Sequence, residues 1–351
     1  MNNKIFDPKP LFQDLRTDKE KKELRSGDRR DGKVYGYTSD LVLAINVALA
    51  TGRPLLLRGH AGCGKSSVAY NIARYLERCY YELVVSSRME ARDLLWRFDA
   101  VRRLGDAQVA AAAGTSGEEG AAGKRDQKDD TRWRSYYPYI EPGVLWWLFD
   151  AISAARRGLP PTRQLFFNEA KPPVIYRPAE ATPLGKAVLL LDEIDKAEPD
   201  VPNNLLVAMG SMQFEVEEIG TPIKFEGPED GFVKPEELPL IVITTNEERQ
   251  LPPAFLRRCV VYRFPPTPDD RLIEIATMSE GPEEQDEKGL YDTLATTMRR
   301  LAEEEAGPGA QVSIAEYLDS VRACKRLGAT RNKEHIVSIV ERTTWKQPSR
   351  D

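Results

Sequence analysis

The chain has 351 residues, with 50 Lys and Arg against 55 Asp and Glu, a formal net charge of −5, four Cys and two His. That length accommodates one large domain or two of ordinary size, and the mild negative charge argues against a dedicated nucleic-acid or anionic-membrane binder. With only His60 and His335, a His-rich zinc site or a histidine relay lacks material, so catalysis would have to use carboxylates, Lys, Arg, hydroxyls and backbone amides.

Cys63, Cys79, Cys259 and Cys324 are scattered and form no CxxC pair, which fits a reducing compartment. The opening MNNKIFDPKP lacks the apolar stretch of a signal peptide, and LVLAINVALA (41–50) is too short for the roughly 20 residues of a membrane helix. A soluble, cytoplasmic protein without a membrane partner is expected.

Along the chain, residues 1–33 read as a charged, mobile arm. Helical spacing of Leu41, Val42, Ile45, Ala48 and Leu49 predicts a helix capped by Ser39 or Asp40. Pro54–Arg58 reads as a buried strand, Ser66 to Cys79 as a helix and Glu82–Ser86 as a second strand. Residues 90–104 look helical; 105–132 are of low complexity and predict a mobile insertion. EPGVLWWLFDAISAAR (141–156) predicts a turn and one buried helix, and the proline-rich 158–186 another excursion.

The apolar run Ala187–Leu191 predicts a central parallel strand, Leu240–Thr245 another buried strand and Val260–Phe264 a short last strand. Between them, Asn203–Met212 reads as a helix and 214–225 as a hairpin around Gly-Thr-Pro. Helical stretches near 269–280, 289–305, 312–327 and 332–344 close the chain. Three parts are therefore expected: the arm (1–33), an α/β domain with a parallel sheet (34–268) and an all-helical domain (269–351).

Residues 59–66, Gly-His-Ala-Gly-Cys-Gly-Lys-Ser, fit GxxxxGK[ST] between the first predicted strand and its helix. Glycines at that spacing let successive backbone N–H groups turn inward onto phosphate oxygens, helped by the helix N-terminus. Gly59, His60, Ala61, Gly62, Cys63, Gly64, Lys65, Ser66 and Ser67 are the candidate nucleotide-binding residues. Lys65 is placed to reach the β- and γ-phosphates and Ser66 to ligate Mg²⁺; His60 and Cys63 read as loop fillers.

Asp192 and Glu193 end the AVLLL strand, at the sheet end that faces nucleotide in a phosphate-loop protein. Asp192 is expected to hold Mg²⁺ and Glu193 to polarise the attacking water, a mechanism of positioning and charge neutralisation. Asn246, at the tip of LIVITT, is placed to orient the same water, although Asn is also a common turn residue. Further on, Arg257 and Arg258 end a short amphipathic element from which one guanidinium could enter a neighbour's site.

With these motifs in order, the sequence resembles the AAA+ P-loop ATPases and, more narrowly, the MoxR family. The matching stretches run from about Tyr35 to Asp269 and include GRPLLLRGHAGCGKS, LLLDEIDKAEPDVPNNLLVAM and ITTNEERQLPPAFLRRC. The resemblance implies Walker A at Gly59–Ser66, Walker B at Asp192 and Glu193, and sensor 1 at Asn246. It further implies an arginine finger at Arg258, with Arg257 as runner-up, and a small helical lid domain. A ring, usually a hexamer, with ATP and Mg²⁺ at each subunit interface is implied as well. Tyr35–Tyr37 falls where such proteins hold adenine; 97–143 and the 214–225 hairpin correspond to insertions facing the ring pore.

Two features depart from the family pattern. Gln311–Glu316 stands where a sensor 2 Arg is common and contains none, and Arg322 lies two turns further on. The insertion also lacks an aromatic pore-loop motif. The implied activity is ATP hydrolysis that remodels or activates a protein partner, with a VWA-domain protein as the expected class. The alternative is a nucleotide-gated assembly switch that recruits an effector, with hydrolysis as reset. A nucleic-acid translocase is the weakest of the three, because the basic residues at 124–134 are interleaved with acids.

Overall fold

A computed structural model describes residues 5–17, 32–115, 134–178, 187–225, 238–285, 287–329 and 332–340. In chain order the strands are β1 (Phe12–Asp14), β2 (Val34–Gly36), β3 (Leu55–Arg58), β4 (Cys79–Val84), β5 (Trp96–Phe98), β6 (Ile140–Pro142), β7 (Val174–Tyr176), β8 (Ala187–Asp192), β9 (Gln213–Val216), β10 (Thr221–Lys224), β11 (Leu240–Thr245) and β12 (Val260–Arg263). The helices are α1 (Ser39–Thr51), α2 (Lys65–Tyr75), α3 (Ala100–Thr115), α4 (Val144–Phe149), α5 (Ala151–Ala155), α6 (Asp200–Ser211), α7 (Pro253–Leu256), α8 (Asp269–Glu280), α9 (Leu290–Ala306), α10 (Ile314–Leu327) and α11 (Lys333–Ile339).

The main sheet has the order β12-β3-β11-β8-β4-β7, parallel except for β7, which runs antiparallel to β4 at the edge. Its central strands are continuous apolar runs because both faces are covered. Leu55, Leu57, Val188, Leu190 and Val242 point to the face under α1 and α2, whereas Leu56, Leu189, Leu191, Ile241 and Ile243 meet Trp146, Phe149 and Leu205 on the other. Leu272, Leu294, Met298, Tyr317, Val321 and Cys324 form a separate core among the C-terminal helices. Thr245 pairs with Arg58, Arg263 with Arg58 and Val84 with Asp192, so the carboxyl ends of the parallel strands stop at one level. The loops leaving that level carry Gly59, Glu193 and Asn246.

Several expectations are corrected. Residues 5–17 are part of the fold: Phe6 is fully buried against Tyr37 and Tyr75, its backbone exchanges hydrogen bonds with Asn46, and β1 pairs with β2. The cap of α1 is Thr38, whose hydroxyl accepts the Leu41 N–H at 3.2 Å. Residues 90–104 do not form one helix; a 3₁₀ turn (Ala91–Leu94) leads into β5, and α3 then covers 105–115, the start of the expected insertion. The alanines and the glutamine there are strong helix formers, which low complexity disguises.

The 141–156 helix is split at Asp150, whose carboxylate caps α5 by accepting the Ser153 N–H at 2.7 Å. β4 begins three residues earlier than the second strand was expected, and the hairpin turns at 217–220, with Thr221 and Pro222 in β10. The excursion at 158–186 contains β7. Most of the charged arm (18–31), the rest of the insertion (116–132), 179–186 and the tail from 341 lie outside the described residues.

Candidate active site

The loop between β3 and α2 curls because Gly62 and Gly64 take left-handed backbone, with φ of 76° and 91°, which glycine adopts without a Cβ clash. The Lys65 ammonium is buried and donates to the carbonyls of Gly59 and His60, each at 2.7 Å, and to Asn246 Oδ1 at 2.9 Å. Ser66 Oγ lies 2.9 Å from both carboxylate oxygens of Asp192. Ala61, Gly62, Cys63, Gly64, Lys65, Ser66 and Ser67 line the adjoining cleft. Burial lowers the His60 pKa and raises that of Cys63, Lys65 opposing the latter shift. Neither group is poised for chemistry.

Asp192 is buried at the end of β8 and Glu193 follows in left-handed backbone, φ 61°. That conformation costs a non-glycine residue roughly 1–2 kcal/mol, offset here by the Glu193 N–H donating to Thr244 Oγ1 at 2.9 Å. The same Thr244 hydroxyl donates to Asp192 Oδ1. One Glu193 oxygen accepts from Lys196 Nζ at 2.8 Å, and the other faces Asn246 Nδ2 at 3.4 Å. Lys65, Asn246, Glu193 and Lys196 thus form one polar row of alternating donors and acceptors across three adjacent strands.

The cleft beside this row has a volume of about 550 Å³. Tyr35 lines it; Tyr37, expected with it, is instead core, its hydroxyl donating to Asn71 Oδ1 at 2.7 Å. On the opposite side stands the N-terminus of α10. A Cβ on Gly62 would lie 2.0 Å from Ser313 Oγ, so the phosphate loop and the C-terminal helices meet where only glycine fits. The Ala315 N–H reaches the Gly62 carbonyl at 3.4 Å. Arg322 also lines the cleft but is paired with Glu280 at 3.0 Å and Asp319 at 3.1 Å.

Arg257 and Arg258 are exposed at the end of α7 and do not line this cleft. The Arg257 carbonyl accepts from Arg53, while Arg258 borders a separate depression with Leu206 and Met209. Sequence reasoning missed Thr244, Asp195, Lys196 and Glu247. The first stands near the end of an apolar strand and reads as a mere polar tip; Asp195 and Glu247 reveal themselves only across neighbouring strands, and Lys196 through its pairing with Glu193 three residues earlier. No cluster of three or more His, Cys, Asp or Glu with metal-holding geometry occurs among the described residues, and no helix among them is long and apolar enough to cross a membrane.

Among solved structures, the chain is similar to RuvB, the Holliday junction branch migration motor of Thermotoga maritima, at 15% identity and a TM-score of 0.38, over 86% of this chain and 66% of that one. A variant of the same RuvB gives 13% identity and a TM-score of 0.40, over 86% of this chain and 67% of that one. A candidate ATPase of Cytophaga hutchinsonii gives 13% and 0.34, over 85% and 77%. The chain thus spans about two thirds of the length of the RuvB chains. No curated protein matches it. Residues 54–259, from the start of β3 to the end of the arginine pair, match the model of the AAA domain, dynein-related subfamily. The strand order, the phosphate loop and that match together make the chain a member of the AAA domain family and an ATP hydrolase.

Proposed function

We propose that this chain is a MoxR-like AAA+ ATPase that assembles into a ring, a hexamer in the usual case, and hydrolyses ATP at subunit interfaces to remodel or activate a protein partner. A VWA-domain protein is the partner class that the family resemblance favours. The observation that carries the hydrolytic part is the row Lys65–Asn246–Glu193 beside the Ser66–Asp192 pair, at the mouth of one cleft.

In this reading the backbone amides of 60–66 and Lys65 bind the phosphates. Ser66 and Asp192 would hold Mg²⁺. One hydroxyl and one carboxylate suit that ion, which takes hard oxygen donors and keeps several waters. When bound, it neutralises charge on the β- and γ-oxygens. Glu193 accepts the proton of the attacking water, and Asn246, its carboxamide fixed by Lys65, orients that water. Lys196 pairs with the free oxygen of Glu193.

Exposure of Arg257 and Arg258 outside their own cleft supports action in a neighbouring subunit. Subunits with Lys65→Ala and subunits with Arg258→Ala, each inactive alone, should recover ATPase activity when mixed. No recovery at any mixing ratio would rule out shared sites. The pairing of Arg322 with Glu280 and Asp319 favours a second reading, an ATP-gated assembly switch that recruits an effector. Size exclusion with a non-hydrolysable ATP analogue separates the two. A partner that binds the ring yet undergoes no ATP-dependent change supports the switch.

A further inference from the structure

The loop that carries Asn246 is fastened from two sides by carboxylates that do not line the cleft. Asp195 is 3% exposed and sits in the 3₁₀ turn directly after Glu193. Its Oδ1 accepts the Asn246 N–H at 3.4 Å and its Oδ2 the Glu248 N–H at 3.0 Å. Between those amides Glu247 is held in left-handed backbone, φ 63°, a conformation that persists only where the surroundings over-determine it. The Glu247 N–H donates to Thr245 Oγ1 at 2.9 Å. Its carboxylate accepts from Arg58 Nε at 2.9 Å on one oxygen and from Arg263 at 2.9 Å on the other. Arg58 is the residue before Gly59, so the same short loop is tied to the acid-pair turn and to the entrance of the phosphate loop.

We propose that Asp195 and Glu247 are positioning residues that hold the Asn246 carboxamide between Lys65 and Glu193. The inference rests on the roles given above to Asn246 and Glu193. Asp195 touches neither substrate nor reacting atoms and acts through Asn246. Burying a carboxylate against backbone amides is costly unless its partners are fixed, and here the partners belong to the one loop whose side chain must be aimed. Released from Asp195, the backbone of Asn246 is free to shift. The 2.9 Å contact with Lys65 and the approach to Glu193 would then be lost together.

A double-substitution cycle on kcat tests this. Asn246→Ala should lower kcat by roughly 10²-fold and Asp195→Asn by about tenfold, as misplacement of a positioning group does. In Asp195→Asn the KM for ATP and the affinity for a fluorescent ATP analogue should stay within about twofold, because neither Asp195 nor Glu247 lines the cleft. In the Asn246→Ala background, Asp195→Asn should cost less than about twofold more, since its effect passes through a side chain already removed. If Asp195→Asn does not fold, Glu247→Ala, at a partly exposed side chain, gives the same cycle. Additive losses, or a loss of nucleotide affinity in place of kcat, overturn the positioning role while leaving the assignment of Asn246 intact. An unchanged kcat in Asn246→Ala overturns both.

Discussion

On the sheet side of the cleft, Lys65, Asn246 and Glu193 hydrogen-bond in one row and Ser66 with Asp192 in another, and Thr244 joins the two. Each hangs from the end of a buried strand or from a first helical turn. On the helical side, Ser313 abuts Gly62, and the arginines lining that wall, Arg271 and Arg322, are tied to Glu274 and to Glu280 and Asp319. A guanidinium already paired with carboxylates has less net charge to offer a phosphate. In the proposed reading the two walls therefore divide the work: the sheet side carries the water-activating groups, and the contact between α10 and the phosphate loop adds to the hold of the loop amides and Lys65 on the nucleotide.

The division can be broken first at Thr244, whose buried hydroxyl serves Asp192 and the Glu193 N–H at once. Thr244→Val keeps the shape and removes both bonds; leaving the N–H unpaired should cost kcat about tenfold or more. Steady-state ATPase assays with unchanged nucleotide affinity would confirm this, and a normal kcat would place the control elsewhere. Gly62→Ala attacks the other wall. Its Cβ collides with Ser313 in a left-handed conformation, so nucleotide affinity should fall roughly tenfold as the walls are pushed apart. Adding Ser313→Gly should restore part of that loss by equilibrium binding. Smallest of all, Arg322→Ala should change kcat by no more than about twofold, as expected for a group tied up in partly exposed ion pairs. A loss of 10²-fold or more would make Arg322 an acting sensor and erase the contrast.

The same contrast separates what the sequence disclosed from what it hid. The phosphate loop, the acid pair and Asn246 were legible because strand ends announce themselves as apolar runs stopping at glycine, acids or amide. The C-terminal helices were legible through their spacing. What stayed hidden depends on neighbours distant in the chain. Thr244 reaches Asp192 from the adjacent strand, Asp195 reaches the amide of Glu248, and Phe6 reaches Asn46 from a segment that reads as a charged arm. The residues at 105–115 were misread for another reason, since alanine-rich composition suits a helix as well as a linker.

The central claim is that the sheet side alone supplies the water-activating group. ATP binding and turnover by Glu193→Gln test it most directly. Binding should stay within about threefold of the unsubstituted chain and turnover should fall by at least about 10²-fold, the usual loss on removing a general base. Turnover within twofold of the unsubstituted chain would contradict it.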